Sequence, residues 1–215
     1  MKKIAVILAG NGVYDGSEIH EATMTLYAIS KNGGTYEIFA PDIDQHHVIN
    51  HLTGEEMPEK RNVLVEAARI ARGDIKDLKE LNVSDFDALM VPGGFGVAKN
   101  LSDFAFKGTE MSILKSFEDI ILNFVEQKKP IGALCIAPAI IAKILDEATL
   151  TIGSDNDTII AVEAMGAKHR ITDHGEVVVD EKYKLATTPC YMLDATIAEI
   201  GDGAQNVVRS VFEML

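Results

Sequence analysis

Three short apolar runs in this chain stop abruptly at residues that bend the backbone, and this pattern limits the folds open to it. Ile4–Leu8 ends in Ala9-Gly10-Asn11-Gly12, Phe86–Val91 runs into Pro92-Gly93-Gly94-Phe95-Gly96, and Ile131–Leu134 ends at Cys135. Runs this short and apolar on both faces are strands of a parallel sheet covered by helices on each side. Helical patterns lie between them. Ser17 can cap a helix whose inward face carries Leu26 and Ile29 with Met24 or Tyr27, and Asn32-Gly33-Gly34 stops it. Tyr36–Phe39, closed by Ala40-Pro41-Asp42, returns as a second strand and completes a βαβ unit.

Further on, an amphipathic helix over about 111–128 leads into the Cys135 strand. A short strand at Leu150–Ile152 and a helix over about 158–165 follow it. Glu176–Asp180 and Lys184–Thr188 pair as a hairpin around Glu181-Lys182-Tyr183, and residues 194–215 make a closing helix with a break expected at Gly201-Asp202-Gly203. Strands alternating with helices predict an α/β fold: a doubly wound, mostly parallel sheet with helices on both faces. The 215 residues suit a single domain over 1–215 with an insertion at about 42–81, where the periodicity changes before a helix at about 61–72.

In such a sheet ligands bind beyond the carboxyl ends of the strands, so residues 10–21, the 92–96 turn and Cys135 are expected at one edge. Cys135 stands where a strand turns sharply into a helix begun by Pro138, a position that exposes a side chain as in a nucleophile elbow. The nearby helix N-terminus favours negative charge on sulfur. The alternative reading of Cys135 is a small buried hydrophobe. The 92–96 turn lacks the Gly-Lys-Ser/Thr of a phosphate loop.

Charge and composition exclude other classes. Twenty basic against 33 acidic residues give a formal charge of −13, which repels nucleic acid and anionic membrane surfaces. Met1-Lys2-Lys3 before an apolar run imitates a signal peptide, but the run ends at Ala9 and reads as a first buried strand. Two cysteines in separate apolar contexts, Cys135 and Cys190, suggest a reducing cytoplasm, with Cys190 a structural small residue. His46, His47 and His51 lie close in sequence without a second cluster to complete a metal site, so no metal and no cofactor are expected.

Four motifs in order, Asp15-Gly16-Ser17-Glu18-Ile19-His20-Glu21-Ala22, Val48–Glu55, Pro92-Gly93-Gly94-Phe95-Gly96 and Thr187-Thr188-Pro189, together with Cys135-Ile136-Ala137-Pro138-Ala139, resemble the ThiJ/PfpI superfamily of class I glutamine amidotransferase-like proteins. Within it they resemble the ElbB branch of isoprenoid-biosynthesis glyoxalases. The resemblance covers nearly the whole chain and implies a flavodoxin-like three-layer sandwich. It also implies a Cys135 nucleophile, a glutamate bonded to its sulfur, an anion pocket of backbone N–H groups near Gly93, Gly94 and Ile136, and a homodimer. Glu21 is the better superfamily match; Glu18, three residues earlier on one helix face, can also point to Cys135.

The activity so implied is cofactor-free conversion of glyoxal or methylglyoxal to a 2-hydroxy acid. A redox-sensing or stress-protective role, or a cysteine amidase, are the alternatives. Many members carry histidine directly after the cysteine, where this chain has Ile136. His169 and His174 lie in a polar stretch unlike a supported base, and Asp155 or Asp157 is a further candidate to approach the pocket.

Overall fold

The computed structural model describes residues 1–215. Nine strands and eight α-helices alternate: β1 (Lys3–Ile7), α1 (Ile19–Lys31), β2 (Thr35–Ala40), α2 (Val63–Ile70), β3 (Lys76–Asp77), β4 (Ala88–Val91), α3 (Phe95–Lys99), α4 (Phe104–Lys107), α5 (Lys115–Glu126), β5 (Ile131–Leu134), α6 (Ala137–Ile144), β6 (Thr149–Leu150), α7 (Asn156–Ala164), β7 (Lys168–His169), β8 (Val178–Asp180), β9 (Leu185–Thr188) and α8 (Ile197–Glu213). Seven strands form one sheet in the order β3-β2-β1-β4-β5-β9-β8, parallel except for the β8–β9 hairpin, and β6 and β7 pair separately.

Alternation of side chains divides the apolar strands between two cores. Ala5, Ile7, Leu89, Val91, Ile131 and Ala133 face one, with Phe117, Ile121 and Phe124 of α5 and Ile140 and Ile141 of α6. Ile4, Val6, Ala88, Met90 and Leu134 face the other, with Ala22 and Ile29 of α1 and Val207, Val208 and Val211 of α8. A strand buried on both faces has no polar position to offer, which is why these runs are continuously apolar.

Two expectations for the helices are corrected. Ser17 does not cap α1: its Oγ accepts from the Ala9 N–H at 2.8 Å, and Glu18 is the capping residue, accepting from the Glu21 N–H at 2.7 Å. The final helix runs unbroken through Gly201-Asp202-Gly203. Its small residues let α8 approach the end of β9 and the turn after it, since a Cβ at Gly203 would stand 3.5 Å from Thr188 Oγ1 and 3.2 Å from Cys190 Sγ. Residues 42–62 form an irregular segment held by the Asp44–Asn62 and Ile49–Glu56 bridges, while α2 and β3 complete the sheet's outer crossover.

The glycines test this packing in opposite directions. At Gly201, where the nearest neighbour to a new Cβ is Met24 Sδ at 3.9 Å, Gly201→Ala should stabilise the chain by about 0.5–1 kcal/mol through lower backbone entropy in the unfolded state. Gly96→Ala, also helical, should instead destabilise by roughly 2–3 kcal/mol because its Cβ would press on the Ala9 carbonyl and lie 2.6 Å from Gly16 Cα. Urea titrations with an unchanged m-value would measure both.

Candidate functional site

Two loops meet at the carboxyl edge of the sheet through main-chain bonds, and the side chain of Asn100 joins a third to them. The Phe95 N–H donates to Val13 O and that of Gly96 to Gly16 O, each at 2.8 Å, while the Glu18 N–H donates to Gly93 O at 3.0 Å. Asn100 adds a side-chain tie, donating to Ala9 O at 2.9 Å and Asp15 O at 3.0 Å and accepting from the His46 N–H at 2.9 Å. Gly94 has φ +99°, and a Cβ there would meet Glu18 N, Gly16 O and Ser17 C, so only glycine permits this approach.

Cys135 stands on the fourth loop with φ +59°, a left-handed conformation that costs a side-chain-bearing residue about 1–3 kcal/mol. Burial of β5 on one side and α6 on the other holds it there, and its own N–H donates to Thr188 O of β9 at 3.0 Å. Its side chain is 7% exposed, at the floor of the cavity.

Glu21 of α1 is fully buried beneath it. Its Oε2 accepts from the Gly93 N–H at 3.0 Å, its Oε1 accepts from the Tyr191 N–H at 3.2 Å, and the carboxyl also bonds the Cys135 thiol. Gly93 admits this contact: a Cβ would press on Cys135 Cβ and lie 2.7 Å from Glu21 Oε2. Burial, then the charge of Glu18, pushes the Glu21 carboxyl up to about 8 against the opposing bonds from Tyr191, Cys135 and Gly93. Burial and the Glu21 charge also push the Cys135 thiol well above its ordinary value, while the Gly94 N–H at the sulfur works the other way. At neutral pH the site is therefore a protonated carboxyl beside a thiol, and the carboxyl loses its proton first. Such a pair can pass a proton to or from any atom bonded at the sulfur.

Above the sulfur opens a cavity of about 400 Å³, walled by Val13, Phe95, Phe104, Ile136, Tyr191 and Met192. Of the expected anion-pocket residues, Gly94 and Ile136 border it, but Gly93 does not offer its N–H there because Glu21 consumes it. Glu18 is likewise corrected: the helix begins one residue after it, so its carboxylate turns back to cap α1 and only Glu21 bonds the sulfur. Asp155 reaches the cavity wall, yet its Oδ2 caps α7 by accepting from Thr158 N at 2.9 Å and Thr158 Oγ1 at 2.6 Å; Asp157 is exposed and does not line the cavity.

The histidines lie elsewhere. His169 Nε2 accepts from the Ile152 N–H at 3.1 Å, and His174 faces Asp173 at 3.9 Å. His46 lies tilted over Phe106 and His47 meets it edge-on, and His51 Nε2 accepts from the Tyr14 N–H at 3.2 Å. Sequence reasoning missed Tyr191, whose main chain anchors Glu21 and whose hydroxyl bonds His20 Nδ1 at 2.8 Å. The signal for it was the Thr187-Thr188-Pro189 strand end, which places the next residues at the same sheet edge. Cys190 is a buried free thiol beside α8.

The buried carboxyl has a measurable consequence for stability. Its folded value of about 8 lies above the ordinary 4.5, so between these limits the folded chain holds a proton that the unfolded chain has released. This contribution is complete below about pH 4.5 and is lost as pH rises towards 8. From about pH 5 to 8.5 the wild type should lose stability relative to Glu21→Gln, by an upper bound of roughly 4–5 kcal/mol. Chemical denaturation of both proteins across that range would measure it, and parallel curves would exclude a protonated Glu21.

The DJ-1/PfpI family model matches residues 2–196. The human glutamine amidotransferase-like class 1 domain-containing protein 3, mitochondrial, is 44% identical over 222 residues, covering 99% of this chain and 83% of that protein. The zebrafish ES1 protein, mitochondrial, is 35% identical over 230 residues, covering 98% and 85% respectively. These mitochondrial relatives overturn the expectation of a cytoplasmic protein: unpaired thiols report a reducing environment, which is not an address. The crystal structure of an isoprenoid biosynthesis protein with an amidotransferase-like domain from Ehrlichia chaffeensis superposes with TM-score 0.93 at 35% identity, covering 100% of this chain and 99% of that one. Candida albicans glyoxalase III shares the fold at TM-score 0.61 and 14% identity, with 97% of each chain covered. With its sheet order, its strained Cys135 and a family match over nearly its whole length, this chain belongs to the DJ-1/PfpI family.

Proposed function

We propose that this chain is a cofactor-independent glyoxalase that converts 2-oxoaldehydes to 2-hydroxy acids through a covalent adduct on Cys135. The observation that carries this reading is the Glu21 carboxyl, buried without a cation against the Cys135 thiol and aimed by the Gly93 and Tyr191 N–H groups. A carboxyl raised to about 8 is a poised general acid and base, and its place at the sulfur puts it next to any carbon the sulfur attacks.

The ionised carboxylate takes the thiol proton as sulfur attacks the aldehyde carbon, and returns it to the aldehyde oxygen, giving a hemithioacetal. The same carboxylate then removes the hydrogen on that carbon, and the electron pair forms an enediolate with charge on the former ketone oxygen. Glu21 returns this proton to the second carbon while the hydroxyl proton of the first passes to the second oxygen, leaving a thioester of a 2-hydroxy acid. Water cleaves the thioester, and the sulfur regains its proton through Glu21. Backbone N–H groups of Gly94 and Ile136 stabilise negative charge at the sulfur and the adjacent oxygen, contacts worth roughly 3–4 kcal/mol where they have been removed.

A redox-sensing role fits less well. Sensor cysteines are accessible thiolates of low pKa, whereas Cys135 is buried with its thiol pushed up. In turnover the carboxylate removes the proton during attack, so a free thiolate is not needed beforehand. An amidase reading lacks an imidazole bonded to the thiol.

Direct quantification of 2-hydroxy acid is the test. Cys135→Ser should abolish formation, Glu21→Gln should lower it by roughly 10²–10⁴-fold, and Glu18→Gln, which keeps an oxygen to cap α1 but removes the charge that helps raise Glu21, should stay within about tenfold. In the wild type, kcat/KM should rise with pH and level off above about 8 as Glu21 ionises. Acid formation by Cys135→Ser at the wild-type rate would overturn the reading.

A further inference from the structure

We infer that the cavity over Cys135 selects an uncharged 2-oxoaldehyde with an apolar tail, and disfavours both anionic substrates and the smallest 2-oxoaldehydes. The inference rests on Cys135 being the reacting atom. A cavity of about 400 Å³ lies within the range that buries a drug-sized ligand, far more space than a two- or three-carbon 2-oxoaldehyde fills. Its walls are apolar: Val13 follows β1, Phe95 opens α3, Phe104 opens α4, and Met192 lies beyond β9. Phe95 is 46% exposed, so part of its side chain is open to an entering group.

Charge points the same way. No lysine, arginine or histidine lines the cavity, and its one ionised wall residue is Asp155, whose carboxyl is held below its ordinary value by its bonds from Thr158. Lys99, close in sequence to Phe95, is committed to Tyr14 O at 2.8 Å and sits over the Phe95 ring. A substrate carboxylate or phosphate entering this space would lose water and gain no cation. An apolar tail gains about 0.8 kcal/mol per buried methylene, a factor of about four in rate per group at low substrate concentration.

Alkylation of Cys135 by one electrophile carrying three different groups reads this preference without requiring turnover. Iodoacetamide, iodoacetanilide and iodoacetate would be compared, each rate divided by that for a small free thiol at the same pH. The modified cysteine is assigned by mass spectrometry so that Cys190 does not contribute. The anilide should react at least tenfold faster than the amide, and the acetate at least tenfold slower. In Ala105→Lys, which places a cation on an exposed position of the cavity wall, the acetate should gain at least tenfold over the wild type. Normalised rates within threefold of one another would overturn the inference, even if methylglyoxal is converted. The expected order without conversion of either phenylglyoxal or methylglyoxal would keep the cavity's preference for an uncharged electrophile with an apolar tail and remove the 2-oxoaldehyde as its substrate, together with the glyoxalase reading. Where both are converted, kcat/KM should be at least tenfold higher for phenylglyoxal, and an equal or lower value overturns the inference.

Discussion

A carboxyl buried with no cation beside it must find its hydrogen bonds in the surrounding main chain, and the carboxyl edge of this sheet is built around that requirement. Glu21 receives the Gly93 N–H from the loop after β4 and the Tyr191 N–H from the turn after β9, and it meets Cys135 at the end of β5. Its own helix, α1, follows the loop after β1. Elements distant in the chain are thus brought to one side chain. The cost of ionising that group in place is what raises its pKa towards the neutral range, where the proposed mechanism uses it to carry protons.

The same arrangement explains the strain at Cys135. A left-handed backbone lifts the side chain off the strand and over the carboxyl, and the bond from Cys135 N–H to Thr188 O keeps the turn tied to the sheet. Glycine at 93 and 94 answers a different demand, since a Cβ at either would collide with the glutamate, the cysteine or the opposing main chain. Packing and the proposed chemistry therefore meet at the same residues, where a substitution would disturb both together. Stability and reactivity are in tension at Glu21: the buried group that can work as an acid and base is one that the folded state would hold more easily if it stayed neutral.

Much of this was legible in the chain itself. Apolar runs ending at glycine or cysteine mark buried parallel strands because strands covered on both faces tolerate no polar alternation, and the run into Cys135 followed by Pro138 marks an elbow because proline is accepted only in the first helical turn. The hairpin of β8 and β9 was readable from its alternation. Other features were not. Ser17 is the better cap by residue type, yet its Oγ accepts from the Ala9 N–H and Glu18 caps α1 instead. Gly201-Asp202-Gly203 looks like a break, but packing of α8 on β9 outweighs weak local propensity.

By itself, the sequence determined the α/β class, the strands that meet at one edge and the residue at the elbow, because periodicity and turn chemistry are local properties. Only the tertiary structure decided that Glu21 and not Glu18 bonds the sulfur, that the Gly93 N–H is spent on that glutamate, and that Tyr191 completes its support. The physical reason is distance: these contacts join residues separated by 72 and 170 positions, so burial and hydrogen bonding across the sheet set them, and no local pattern encodes them.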